Sequence, residues 1–483
     1  MGIRNLSDLT SHGNVEGRET ILKIIESGFE VTDPYANIKR LVRIEENRLI
    51  IGDRDFEPDD DPSSGDEVYD LDGLEHIYVI GAGKGIQRAA QALEDILGER
   101  LTGGQIIDKK GAPPALRRIE VTFGAHPVPD EECVKGCRKI LALTEKLTER
   151  DLVFTLGASG FSALLTYPVP GVSLEDVQRT VYLMQIERGA PTIDLSPVRN
   201  HLDLLKGGRI SAHIHPARAI HIMAKPPGNY DELIHRSYWF HTLPDRSTFE
   251  EAVDNLKKWN AWDEVPASVR EHLLRAEAQY ETVKAEEYQK LRFRIFGVLP
   301  GEQGLWVTPR RTAEALGYRA VLLATDLRME AREAGRFVGI VARSIEKAKG
   351  PFEPPVALFT SGELVVTVGN ETGVGGRNQE YSLAAAMEIA GSKRIVVAAV
   401  DTDGTDGPGA QYLDDPEERS RIPTLAGAVV DGHTIGRAAE RKLDIQASLE
   451  SHNTTPLLLA MDDGILATQN PGLTDLGVVL ISR

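Results

Sequence analysis

His76-Ile77-Tyr78-Val79-Ile80-Gly81-Ala82-Gly83-Lys84-Gly85, continued by residues 86–97, is the stretch from which the architecture unfolds. A short apolar run closed by glycines reads as a buried strand, and the segment behind it reads as a helix. The same alternation returns with strands at 119–123, 152–155 and 219–223. Strands that alternate with helices make βαβ units, and these build a mainly parallel sheet covered on both faces.

Working outward, residues 14–30 form an amphipathic helix and 38–52 a hairpin. Residues 53–67 hold Asp59-Asp60-Asp61-Pro62 and read as an acidic solvated loop. Residues 225–300 break the rhythm: they carry three of the four Trp residues and helical stretches at 249–259 and 266–292. This segment is read as a helical cap or connector (about 225–295), and its Trp-rich part, 225–263, as a candidate homodimer interface. A second α/β pattern starts near 296. Its strands are expected at 304–307, 320–324, 356–360, 364–368, 395–400 and 476–481. Its helices are expected at 310–316, 329–348 and 379–389, and residues 412–421 as an exposed charged loop. The expectation is two α/β domains, 1–295 with a mainly parallel sheet and a smaller one at 296–483.

The 483 residues suffice for a large core without disulfide or metal staples. Asp plus Glu number 73 and Lys plus Arg 55, a formal charge of −18. That balance argues against nucleic acid or an anionic membrane as partner, while a local Arg/Lys cluster can still recruit a small anion. Two cysteines, Cys133 and Cys137, exclude a disulfide framework and read as packing residues one helical turn apart. No apolar run reaches the ~20 residues of a membrane span, and no signal-peptide pattern opens the chain, so the expected location is the cytoplasm.

Three glycine-rich loops stand at strand-to-helix junctions. Gly81-Ala82-Gly83-Lys84-Gly85 favours an anion at a helix N-terminus. It is not a dinucleotide fingerprint, because Ile86 stands at the sixth position, and it is not a Walker A loop. Gly157-Ala158-Ser159-Gly160-Phe161-Ser162 offers backbone donors and hydroxyls to phosphate. Gly373-Val374-Gly375-Gly376-Arg377-Asn378-Gln379-Glu380 places Arg377 beside consecutive N–H groups as a phosphate clamp. Arg199-Asn200-His201 and Lys206-Gly207-Gly208-Arg209 concentrate positive charge. Asp401-Thr402-Asp403-Gly404-Thr405-Asp406-Gly407 crowds carboxylates at a strand end, where Mg²⁺ or basic side chains are needed to compensate. His126, in His126-Pro127-Val128-Pro129-Asp130, either touches substrate or fixes the turn.

Taken in order, these motifs resemble the class II glycerate 2-kinases, the MOFRL family, from about residue 14 to 483. The resemblance implies a Rossmann-like N-terminal domain, a family-specific C-terminal domain and an active site in the cleft between them. It implies transfer of the γ-phosphoryl group of ATP to a hydroxyl of glycerate, assisted by Mg²⁺. On that basis Lys84, Arg377 and Asp403 are expected to be catalytic, and Asp401 and Asp406 to hold the metal. Gly83, Ser159, Ser162, His126, Arg199, Lys206, Arg209, Asn378 and Glu380 are expected to bind substrate or phosphate. The expected partners are thus a small acidic metabolite and a nucleotide.

The chain departs from the family pattern at identifiable places. Phe161 replaces a glycine of the Ser-Gly-Gly-Gly-Ser loop, and Lys225 and Asn229 replace two acids. The family's Ser-Gly-Pro-Thr gives way to the segment Tyr238-Trp239-Phe240-His241-Thr242, and the C-terminal Gly-Pro-Thr-Gly-Thr-Asn is matched loosely by residues 469–474. Two alternatives follow. One is a homologue that binds an acidic sugar metabolite as a sensor but has lost transfer. The other is a different reaction in the same basic cleft.

Overall fold

The computed structural model describes all residues except 1, 112, 238–239, 300–301, 370, 372, 414, 416 and 418–420. Much of the expected charged loop at 412–421 and the pair Tyr238-Trp239 thus lie outside the described residues. The chain divides into two compact units, one of residues 34–299 and one of 1–33 with 300–483.

The 34–299 unit opens on the helix Pro34–Leu41, followed by a small antiparallel sheet, β1 (Val42–Glu45), β2 (Arg48–Ile51) and β3 (Glu67–Asp70). Its main sheet contains β4 (Ile77–Ala82), β5 (Gly103–Lys109), β6 (Ile119–Gly124), β7 (Leu152–Gly157), β8 (Arg218–Met223) and β9 (Phe293–Gly297), all parallel. The order is β6-β5-β4-β7-β8-β9. The chain runs outward from β4 through β5 to β6, then returns to the other side of β4 with β7. A sheet that reverses in this way opens a crevice beyond the C-terminal ends of its two central strands. Both the Lys84 loop and the Ser159 loop leave from that point. Their close approach demands glycine: a Cβ on Gly81 would lie 2.2 Å from the Leu156 carbonyl oxygen, and one on Gly83 2.6 Å from the Ala158 Cβ.

Two strands of this sheet escaped the sequence reading. β5 opens on Gly103-Gly104, a poor strand signal, yet a Cβ on Gly104 would press 2.2 Å from the Val79 carbonyl. β9 follows directly on what reads as one long helix over 266–292. That helix is broken into Ala267–Arg275 and the short Ala285–Tyr288, with Ala276 in the left-handed region (φ 45°). Cys133 and Cys137 are buried on the helix Glu131–Thr144, as their spacing implied.

The other unit holds β10 (Arg319–Leu327), β11 (Val356–Gly362), β12 (Ile395–Asp401), β13 (Gly427–Asp431), β14 (Gly464–Ile465) and β15 (Asp475–Ile481). The order is β10-β11-β15-β12-β13-β14, with β10 and β11 parallel and the other pairs antiparallel. Two expected strands are not strands. Residues 305–307 lie in the helix Glu302–Ala315, and 364–368 contribute only a bridge between Glu330 and Val365.

The expected boundary at 1–295 is also displaced. The helix Val15–Val31 buries Ile21, Leu22, Ile24, Ile25 and Phe29 among Val396, Val478 and Leu480. Arg18, wholly buried, locks it there: its Nε donates to Asp431 (2.5 Å) and its Nη1 lies 2.8 Å from Asp463. An apolar helical stripe joins whichever sheet face matches it, whatever the distance in sequence.

Candidate functional site

At the switch point of the parallel sheet, the Lys84 N–H donates to the Ser159 carbonyl (2.7 Å) and ties the two loops together. A Cβ on Gly160 would lie 3.0 Å from both Lys84 Cγ and His126 Cδ2, so both side chains cover this loop. Among the described residues, the backbone N–H groups of Ser159, Gly160 and Ser162 have no acceptor. Three donors beside a lysine and a histidine suit an anionic oxygen.

The helix after Lys84, Gln87–Leu97, does not offer its N-terminus to an anion as expected. Asp108 at the end of β5 already stands there, accepting from the N–H groups of Gly85 (2.8 Å) and Lys109 (2.7 Å) and from Gln87 Nε2 (3.2 Å). Burial pushes the Asp108 carboxyl up to about 6, against these donors. The sequence reading passed over Asp108; its only signal was an acid closing an apolar strand.

The basic segment is buried rather than solvated. Lys206 pairs with Asp203 (2.5 Å) and Thr166 Oγ1 (3.0 Å). Arg209 Nη1 donates to the carbonyls of Asn200 and Lys206. Arg199 donates to Gln185 Oε1 (2.6 Å), and no carboxylate among the described residues neutralises it. Burial alone draws its guanidinium down to about 10. Gln185 belongs to a π-helical turn, Tyr182–Glu187, an irregularity often found at functional sites. His201 bonds the Pro197 carbonyl and Glu281, a local structural role.

Two departures from the family pattern have structural roles here. The Phe161 ring is buried against Phe240 and His241, both at 5.3 Å between centroids, and so turns into the core. Asn229 caps the helix Tyr230–Arg236 by accepting from the Glu232 N–H, a task Asn performs as well as Asp.

In the other unit the strand ends of β12 and β15 meet in register at Asp401 and Asp475. Arg377 bridges them, with Nε 2.9 Å from Asp475 and Nη2 3.1 Å from Asp401. Burial works against the Arg377 charge, but Asp475 and Asp401 outweigh it and keep the group cationic. Burial pushes Asp475 above the usual carboxylate range despite Arg377. Asn378 Nδ2 donates to Asp475 (2.8 Å) and Asp406 (3.2 Å). Asp475 is the residue that sequence reasoning missed; a lone acid entering the apolar strand 476–481 was its signal.

Other expected residues are placed differently. Asp406 receives the N–H groups of Asn378 (3.1 Å) and Gln379 (3.0 Å), so it caps the helix Arg377–Glu388 in place of a phosphate. Burial pushes it up to about 6. Asp403 accepts from the Thr405 N–H and hydroxyl, both 2.7 Å, and shapes its own turn. Glu380 turns away from Arg377, toward His452 (2.7 Å) and Arg332 (3.2 Å). The loop at 373–376 is not an open cradle: its glycines press on Ser451, His452 and Asp406. Among the described residues no three His, Cys, Asp or Glu side chains are grouped to hold a metal ion. No helix among the described residues is long and apolar enough to cross a membrane.

Comparison with known proteins agrees with this layout. Residues 20–274 match the family described as Domain of unknown function (DUF4147), and residues 356–477 match the MOFRL family. Glycerate 2-kinase of Pyrococcus horikoshii is 32% identical over 466 residues, 96% of each chain. D-glycerate 2-kinase of Thermotoga maritima is 32% identical over 365 residues, 75% of this chain and 80% of the relative. The crystal structure of glycerate kinase from Thermotoga maritima superposes with a TM-score of 0.65 at 27% identity, over 96% of this chain and 99% of that one. With its parallel and mixed sheets in place and relatives spanning nearly its whole length, the chain belongs to the glycerate 2-kinase family that carries the MOFRL domain.

Proposed function

We propose that the protein is an ATP-dependent kinase that phosphorylates a hydroxyl of glycerate or a related small hydroxy acid. The observation that carries this reading is the switch-point loop, where Lys84, His126 and three unengaged N–H groups surround Gly160. Phosphoryl transfer asks mainly for positioning and charge neutralisation, and these groups provide both. The substrate hydroxyl oxygen attacks the γ-phosphorus, the bond to the bridging oxygen breaks, and ADP leaves. The hydroxyl proton is released to solvent, Lys84 and the loop N–H groups neutralise the phosphoryl oxygens, and Arg377 of the other unit is a second candidate anion-binding cation. Mg²⁺, when bound, would be held by Asp401 and would supply charge neutralisation there. Buried Arg199 supplies uncompensated positive charge for an acid.

The test is incubation of the purified chain with MgATP and D-glycerate, followed by phosphorus NMR and ADP release. A phosphoglycerate signal that grows with ADP supports the proposal; ADP without it, or neither across three- to six-carbon hydroxy acids, sinks it.

A further inference from the structure

His241 has no part in the chemistry above, yet it is buried directly beneath the anion loop. Its Nε2 lies 2.8 Å from Ser162 Oγ, and its ring packs 5.3 Å from Phe161. Its Nδ1 is buried without a hydrogen-bond partner. Burial, with Lys206, Arg199 and Arg209 nearby, holds the imidazole well below its ordinary range, so the ring is neutral.

Neutral imidazole carries one proton, and the surroundings choose its place. A proton on Nδ1 would leave a buried donor with no acceptor, a costly arrangement. A proton on Nε2 leaves only a lone pair at Nδ1, which the neighbouring cations favour. His241 then donates to Ser162, and the Ser162 oxygen acts as acceptor. The hydroxyl proton of Ser162 must point elsewhere, and no acceptor for it exists among the described residues. Ser162 is thereby converted into an obligate donor beside the vacant N–H groups of Ser159 and Gly160. A hydroxyl forced to donate selects an anionic oxygen and rejects a neutral donor of the same size.

We propose that His241 is a positioning residue that fixes Ser162 as a donor to an anionic oxygen of a co-substrate, either the acid's carboxylate or a nucleotide phosphate. This deepens the kinase reading and rests on it. His241 and Phe161 both stand where the chain departs from the family pattern, and they pack on each other, so the loop and its support changed together.

The experiment compares wild type, His241→Ala, His241→Gln and Ser162→Ala, with KM measured separately for D-glycerate and ATP. The amide N–H of Gln reaches the place of Nε2–H. We expect His241→Ala to raise KM for one co-substrate about tenfold, the loss of one hydrogen bond to an anion. The kcat should change far less, and His241→Gln should restore most of KM. Ser162→Ala should match His241→Ala, and the double variant should add nothing. The co-substrate affected identifies the anion. Equal KM in wild type and His241→Ala, or no rescue by Gln, overturns the proposal. Calorimetric binding of D-glycerate and of MgATP to the same chains separates the two readings. If wild type binds but does not turn over, the kinase reading fails. The positioning role then stands only if His241→Gln keeps the binding that His241→Ala loses. Should His241→Ala not fold, wild-type binding kept by His241→Gln and lost in Ser162→Ala supports the proposal, and unchanged binding in Ser162→Ala overturns it.

Discussion

Each unit ends a strand in a glycine-rich loop, feeds a helix and places a buried aspartate at that helix's N-terminal N–H groups: Asp108 in one, Asp406 in the other. Burial holds both near 6. Around this common device the charge is opposite. The parallel-sheet unit lays Lys84 over its loop, and among the described residues no carboxylate neutralises its Arg199. The mixed-sheet unit gathers Asp401, Asp406 and Asp475 near Arg377. A shared backbone motif therefore does not set the sign of a site; residues at neighbouring strand ends do.

The sharpest way to break this contrast is Arg377→Ala. It removes the guanidinium that bridges Asp401 and Asp475. We expect turnover to vanish and stability to fall by about 3 kcal/mol, the low end for breaking a buried pair because the guanidinium is 27% exposed. Urea unfolding and the coupled ADP assay read both effects. For Lys84→Ala we expect kcat to fall by about 10²–10³, the usual loss for one transition-state donor. The coupled ADP assay reads the loss, and an unchanged kcat removes Lys84 from the chemistry.

The shared capping device is tested by pairing Asp406→Asn with Asp108→Asn. Both Asp406 oxygens accept backbone N–H groups, so its amide clashes with a donor. Asp108 offers one oxygen to a side-chain amide that can rotate. We expect a cost of about 2 kcal/mol for Asp406→Asn and about 1 kcal/mol or less for Asp108→Asn, compared by denaturant midpoints. The smallest effect is a pH slope. The unfolded carboxyls titrate near 4, whereas the folded ones titrate near 6. Their contribution to stability is present below about pH 4 and is lost as pH rises through 6. Unfolding curves at pH 4.5 and 7 should differ less in Asp108→Asn than in wild type; an equal difference argues against the raised value.

Much of this was legible in residues 76–97, where an apolar strand, a glycine turn and a helix dictate βαβ architecture. The motifs containing Lys84, Arg377 and Asp401 pointed to the loops that the fold brings to strand ends. What was not legible depended on register. Asp475 joins Arg377 only because β12 and β15 pair antiparallel with Asp401 opposite it. Asp406 and Asp403 look like ligands in sequence, and only the fold shows that nearby N–H groups occupy them. Phe161 looks like a blocked phosphate loop until Phe240 and His241, 79 and 80 residues on, are found beneath it.

The helix Val15–Val31 gives the molecule a timing problem. Its apolar face fits a sheet whose strands β12 and β15 lie beyond residue 394. On the ribosome, at about 5–20 residues per second, that helix waits roughly 20–80 seconds for its partners. Throughout that interval residues 34–299 can fold behind it as a contiguous piece, while Ile21, Leu22, Ile25 and Phe29 stay uncovered. The burial of this helix is therefore among the last events of synthesis, and it is completed only when the closing strand emerges.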